Sequence, residues 1–244
     1  MPDRLELTRQ AEATHFWFRG FRRFIRPVIH PAAGGRTGLR LVDCGCGVGQ
    51  NLELLRPYGR AFGFDLASTG TRAARASGGT IARGDITRIP FASNAFDIAV
   101  SFDVMQCLRT DADAVREIAR VLRPGGRLVM TMAALDLLYG DHSEVWEEYR
   151  RYTPRSARAL AEQAGLRVER VSFLFASLFP LMLATRTAQR LLRRWRSAPA
   201  HSDIAVPPAP VNAALTWAVY GEAALARRIP MPLGSSLLVV ASKL

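Results

Sequence analysis

Lysine is nearly missing from this sequence: Lys243 is the sole one among 33 basic residues, in a 244-residue chain of formal net charge +12. A nucleic-acid footprint gathers its cations on one face or stretch. Here the arginines are scattered through every segment and are densest only between Arg186 and Arg196. With abundant Ala, Gly and Pro, that scatter reads as compositional bias, and nucleic acid is not expected as a partner. Cysteine is scarce as well. Cys44 and Cys46 stand two apart inside a glycine-rich turn, too close for a structural disulfide, and neither Cys107 nor a nearby His completes a four-ligand metal set. No metal is expected, and the thiols read as those of a reduced, cytoplasmic protein. Long apolar runs are lacking too. The longest, 171–184, is too short to span a bilayer and contains Pro180. The first residues are polar and amphipathic, without the apolar core of a secretion signal. With 22% charged and 49% hydrophobic residues, intrinsic disorder is excluded over most of the length.

What is present is alternation. Short β-rich runs at 39–44, 61–65, 80–83, 95–101, 127–132, 167–174 and 236–242 are separated by helical patterns at 50–55, 68–76, 111–122 and 154–163. That order predicts a doubly wound α/β fold, its strands mostly parallel and joined by crossover helices. Asp111 is the expected N-cap of its helix, with Pro124, Gly125 and Gly126 ending it. Four segments follow: an N-terminal helical lid over 1–38, a core with the ligand site over 39–174, a helical insertion over 175–234, and a last strand over 235–244.

The sequence LVDCGCGVGQ runs a buried strand into a helix through Asp43, Gly45, Gly47 and Gly49. Glycines there let backbone approach a ligand, and the helix start presents free N–H groups. A dinucleotide would bring a pyrophosphate to this turn, which the Asp43 carboxylate would repel. S-adenosylmethionine has no phosphate and carries an ammonium and a sulfonium, so the same carboxylate attracts it. An NAD-dependent oxidoreductase is disfavoured on that ground. The second strand ends in Asp65, followed by Leu66, where a carboxylate can accept from both ribose hydroxyls. The third ends in Gly84-Asp85-Ile86, with Asp85 available to the adenine amino group and Ile86 to the ring. The fourth carries Ser101 and Phe102 back across the crevice.

Taken together, 39–133 resembles the class I, Rossmann-like S-adenosylmethionine-dependent methyltransferases of small-molecule type, including the stretch VLRPGG (121–126). The resemblance implies a seven-stranded sheet of order 3-2-1-4-5-7-6 with the last strand antiparallel. It also implies cofactor contacts at Asp43, Gly45, Gly47, Asp65, Asp85, Ile86 and the backbone of Ser101 and Phe102. HFWFRG near the start and WEEYRRYTP (146–154) resemble flanking motifs of the same subgroup. One departure stands out: where many relatives place Glu and His after the fourth strand, this chain has Gln106 and Cys107.

Methyl transfer needs the acceptor held close, aligned and dry, with a base only if a proton must leave. His142, Tyr149 and His15 are the candidate catalytic residues. Trp17, Phe18, Trp146 and Tyr152 are the candidate lining of an acceptor pocket, and Arg150 or Arg151 could neutralise an anionic group. The apolar-then-basic run 173–196 suits either a pocket roof or a membrane-surface contact, and both point to an apolar, aromatic or lipid-like acceptor. A nucleic-acid methyltransferase would need an Asn/Asp-Pro-Pro-aromatic turn at 101–104, and no proline is there. A non-catalytic cofactor-binding protein remains the other alternative.

Overall fold

A computed structural model of the chain describes residues 11–192 and 204–244. Seven strands form one sheet: β1 (Leu39–Cys44), β2 (Gly59–Asp65), β3 (Thr80–Arg83), β4 (Phe96–Phe102), β5 (Leu122–Ala133), β6 (Leu166–Leu174) and β7 (Ser236–Lys243). Their order is β3-β2-β1-β4-β5-β7-β6, parallel except that β7 runs antiparallel to both its neighbours. This is the order the resemblance implied. The central strands are continuous apolar runs because helices cover both faces: every residue of β4 is buried, and β1 exposes only Arg40.

The crossover helices are α2 (Leu52–Leu55), α3 (Ser68–Ala76), α4 (Asp111–Val121) and α6 (Pro154–Gln163), with a short α5 (Asp141–Val145) after β5. Two boundary expectations are corrected. Thr110, not Asp111, is the N-cap residue of α4. Asp111 lies in the first turn, where its carboxylate accepts from Arg150 (2.8 Å) and the Tyr152 hydroxyl (2.7 Å). The helix stops at Val121, because the next residue turns extended (φ −70°, ψ 138°) and Leu122 already pairs with Phe96. Pro124, Gly125 and Gly126 therefore lie in β5. Lys243 secures this junction by donating to the Leu122 carbonyl (2.7 Å).

Three further helices stand outside the sheet's crossovers: α1 (Phe16–Ala33), α7 (Phe179–Leu192) and α8 (Ala209–Leu225). The face of α1 bearing Phe21, Phe24, Ile25 and Ile29 is buried in the core. Gly20 brings α1 against α8 so closely that a Cβ there would overlap the Val219 side chain. Asn212 ties the starts of the two helices by accepting from Phe16 N–H and donating to the Thr14 carbonyl, both at 2.9 Å. Glu222, inward-facing on α8, accepts from the backbone N–H groups of Ala176 and Ser177 (2.8 Å each) and from the Ser177 hydroxyl (2.6 Å). That latch fastens α8 to the end of β6. None of the described helices is long and apolar enough to cross a membrane.

Candidate active site

The chain leaves β1 for the outer half of the sheet and returns through β4, so a crevice opens where the carboxyl ends of β1 and β4 part. The turn after β1 places Gly45, Gly47 and Gly49 at φ of 85°, 52° and 84°, all in the left-handed region. It is stitched to β2 by the Gly45 and Cys46 N–H groups, both donating to the Phe64 carbonyl (3.0 Å). The Asp65 carboxylate bridges the same seam, accepting from Gly47 N–H and from Ala67 N–H at 2.8 Å each. Each of its oxygens keeps a lone pair, so ribose hydroxyls can still be received.

Asp43 lies beneath this turn, 1% exposed, and its Oδ2 has no hydrogen-bond partner among the described residues. Burial first, then the negative charges of Asp65 and Glu12, push its carboxyl up to about 8. A buried carboxylate in that state asks for a cation. In its ionised form Asp43 fits the ammonium and sulfonium of S-adenosylmethionine and opposes a phosphate.

A cavity of about 530 Å³ opens from Gly45, Cys46 and Gly47. Phe102, His15, Trp17, Phe18, His142 and Trp146 line it, so these expected site residues are brought together. Its outer wall is apolar and comes from Leu178, Leu181 and Met182 at and on α7, and Val211 and Leu215 on α8.

Other expected residues lie elsewhere. Gly49 faces α3, where a Cβ would meet that of Ala74 at 2.7 Å, and it is not among the cavity-lining residues. Ser101 donates to the Cys44 carbonyl (3.0 Å) and braces β4 against β1. On the β2 and β3 side, Leu66 is 63% exposed, while Ile86 is buried in the core rather than displayed. Asp85 Oδ1 accepts from the N–H and hydroxyl of Thr87 (2.8 Å each). Tyr149 and Tyr152 do not line the cavity. Tyr149 is exposed, with the Arg109 guanidinium over its ring at 4.4 Å. Tyr152 is buried with its hydroxyl on Asp111, and burial pushes its ionisation well above the usual range. Arg150 pairs with Asp111 away from the cavity; Arg151 lines it, buried with Glu148 at 3.0 Å. His15 Nδ1 accepts from Trp17 N–H (3.1 Å) as the N-cap of α1, which leaves Nε2 to carry the proton.

Several cavity residues escaped the sequence reading. Asp103 follows Phe102 directly at φ 55°, and burial, reinforced by Glu148, raises its carboxyl to about 7. Glu12 is raised to about 7 by burial, with Arg22 opposing. Gln106 holds the end of β5 by accepting from Ala133 N–H (3.3 Å). Arg186, the first of the arginines in the run that suited either a pocket roof or a membrane contact, is buried in the cavity wall, and a Cβ on Gly140 would strike its Cδ at 2.5 Å. Asp103 was within reach, one residue past an expected contact. Glu12 and Arg186 carry no sequence signal because the fold of distant helices decides where they point.

Known proteins give the same reading. A family model described as a methyltransferase domain matches residues 42–130. A demethylmenaquinone methyltransferase of Mycolicibacterium paratuberculosis is 34% identical over 146 residues, 57% of this chain and 61% of that protein. The chain spans between about a quarter and three-fifths of the length of the curated relatives it matches. Among solved structures, an S-adenosylmethionine-dependent methyltransferase from Mesorhizobium loti superposes with a TM-score of 0.56 at 18% identity, covering 89% of this chain and 96% of that one. The [4+2]-cyclase SpnF shares the fold equally well (TM-score 0.58, 21% identity, 91% and 80% covered). Fold alone therefore does not name a reaction. The glycine turn, the carboxylates at the ends of β1 and β2, the strand order and the matched model together make residues 42–130 a methyltransferase domain of the class I, S-adenosylmethionine-dependent kind.

Proposed function

We propose that this chain transfers the methyl group of S-adenosylmethionine to a small, apolar, aromatic or lipid-like acceptor enclosed beneath α1, α7 and α8. The observation that carries the reading is the continuity of one cavity from the glycine turn to an apolar helical wall. When bound, the donor supplies an electrophilic methyl group whose leaving group is a neutral thioether. Asp43 would balance its positive charge, Asp65 would accept from the ribose hydroxyls, and Asp85 would face the adenine. Phe102, Trp17 and the α7 side chains would exclude water and align the acceptor. Asp103, raised to about 7 at the end of β4, is the better placed base for an acceptor that must lose a proton; His142 is the second candidate. His15 serves as a helix cap, and the described part of the apolar-then-basic run, 173–192, acts as roof through α7.

Calorimetry with S-adenosylmethionine and its demethylated product tests the first half of this reading, and a saturable heat for each is expected. Turnover with a demethylmenaquinone, the acceptor in the name of the Mycolicibacterium relative, tests the second. Failure to bind either cofactor form would overturn the assignment.

Affinity should also depend on pH. Asp43 is raised above the value near 4 of an unfolded aspartate, so the stability its bound proton contributes is fully present below that pH and is lost as pH rises through about 8. A cation binds the ionised form. Donor affinity is therefore expected to climb from pH 6 to 8, by up to about tenfold per unit, and to turn down once the donor's own α-amino group, near 8, loses its proton. Asp43→Asn should abolish the rise; a flat profile in the parent would contradict the electrostatic role.

A further inference from the structure

The arginine edge of α7 does not form an open basic surface where it is described. Arg186 is in the cavity wall, and Arg190 donates to the carbonyls of Leu137 and Tyr139. Arg193, Arg194, Trp195 and Arg196 lie outside the described residues. A different surface has the properties of an interfacial helix. On α8, Ala214, Trp217, Ala218, Gly221, Ala224 and Leu225 recur at helical spacing and are all exposed, Trp217 to 74%. The helix carries one charged residue, Glu222, and that is turned inward onto Ala176 and Ser177. An apolar helix face that the described residues leave uncovered is unusual for a surface helix, which ordinarily shows water its polar side.

The rim of this face is cationic. Arg19 and Arg23 of α1 place their guanidinium groups 5.8 and 5.7 Å from the centre of the Tyr220 ring, and Tyr220 in turn meets Trp217 edge-on. Arg227 and Arg228, both exposed, follow the end of α8, and Ile229 adds a further exposed apolar side chain. We propose that this face of α8 seats on an anionic lipid bilayer, Trp217, Leu225 and Ile229 entering the headgroup boundary and the four arginines meeting lipid phosphates. Charge decides the occupant. A second copy would oppose arginine to arginine on a chain of net charge +12, whereas anionic headgroups neutralise the rim. Trp and Tyr beside one another suit the same boundary, since each joins an apolar ring to a polar edge. Val211 and Leu215 of the same helix line the cavity, so a seated α8 would place the proposed acceptor pocket against the lipid phase.

Sedimentation of the full chain with vesicles tests this without any methyl transfer, so it stands or falls separately from the proposed activity. Binding is expected to mixed phosphatidylglycerol–phosphatidylcholine vesicles and to be much weaker to phosphatidylcholine alone. Arg227→Gln with Arg228→Gln should weaken it about 25-fold, roughly fivefold for each charge, and Trp217→Ser by roughly tenfold. Donor affinity, measured by calorimetry, should stay unchanged in these variants, which shows that the fold and the cofactor site persist. Equal binding to both vesicle types, or variants that sediment like the parent, would overturn the proposal. So would a dimer in solution that Trp217→Ser dissolves, because the face would then belong to a second copy.

Discussion

Asp65→Ala is expected to weaken S-adenosylmethionine binding by about 2 kcal/mol or more, near thirtyfold in Kd by calorimetry. The carboxylate has two duties. It holds the glycine turn through Gly47 N–H and opens α3 through Ala67 N–H, and its remaining lone pairs are the proposed seat of the ribose hydroxyls. Truncation removes both the charge-assisted acceptors and the brace that keeps Gly47 in the left-handed region. Asp65→Asn separates the two duties, because an amide oxygen can still accept one backbone N–H but brings no charge. It should fall between parent and Ala variant. Unchanged affinity in Asp65→Ala would mean that the end of β2 does not face the cofactor.

Glu222→Ala should be the most destabilising single change on the helical roof. Three donors converge on that buried carboxylate, and the variant would leave two backbone N–H groups and a hydroxyl with no acceptor. A loss of about 3 kcal/mol is expected, a fall in Tm of roughly 6–12 °C for a domain of this size. The effect should be local before it is global. Hydrogen exchange along α8 should accelerate ahead of exchange in β1 and β4, because the latch holds α8 to the sheet while the central strands are covered independently. An unaltered melting curve would show that the Gly20–Val219 seam and the Asn212 cap suffice to hold α8.

The sheet could be read from the sequence because its determinants are local. Strand β1 and the turn after it announce themselves as an apolar run ending in Asp43 and three glycines, and Ser68–Ala76, Thr80–Arg83 and Pro154–Gln163 fall where the patterns put them. What escaped depends on which way a helix is turned by partners far away in sequence. The pattern around Arg186 suits an exposed basic helix equally well, and only the packing of α7 against the loop at Gly140 buries that guanidinium. Tyr152 misled in the opposite sense: an aromatic beside arginines suggests a binding surface, yet Asp111, 41 residues earlier, claims its hydroxyl. Glu222 could not be read at all, since a lone Glu in an Ala-rich helix looks like a solubilising charge until its three donors are seen.

The placement of β7 between β5 and β6 also bears on how the chain is made. During vectorial synthesis β5 and β6 leave the ribosome with no strand to join them, because the one that pairs with both is encoded some sixty residues after β6 ends. Until it arrives, two apolar edges stand open on a nascent chain, the arrangement most prone to intermolecular strand pairing. Completion of the sheet is thereby a late, long-range event, and the yield of native protein should respond to holdase chaperones and to slowed translation upstream of residue 236 more than to anything done at the cofactor turn.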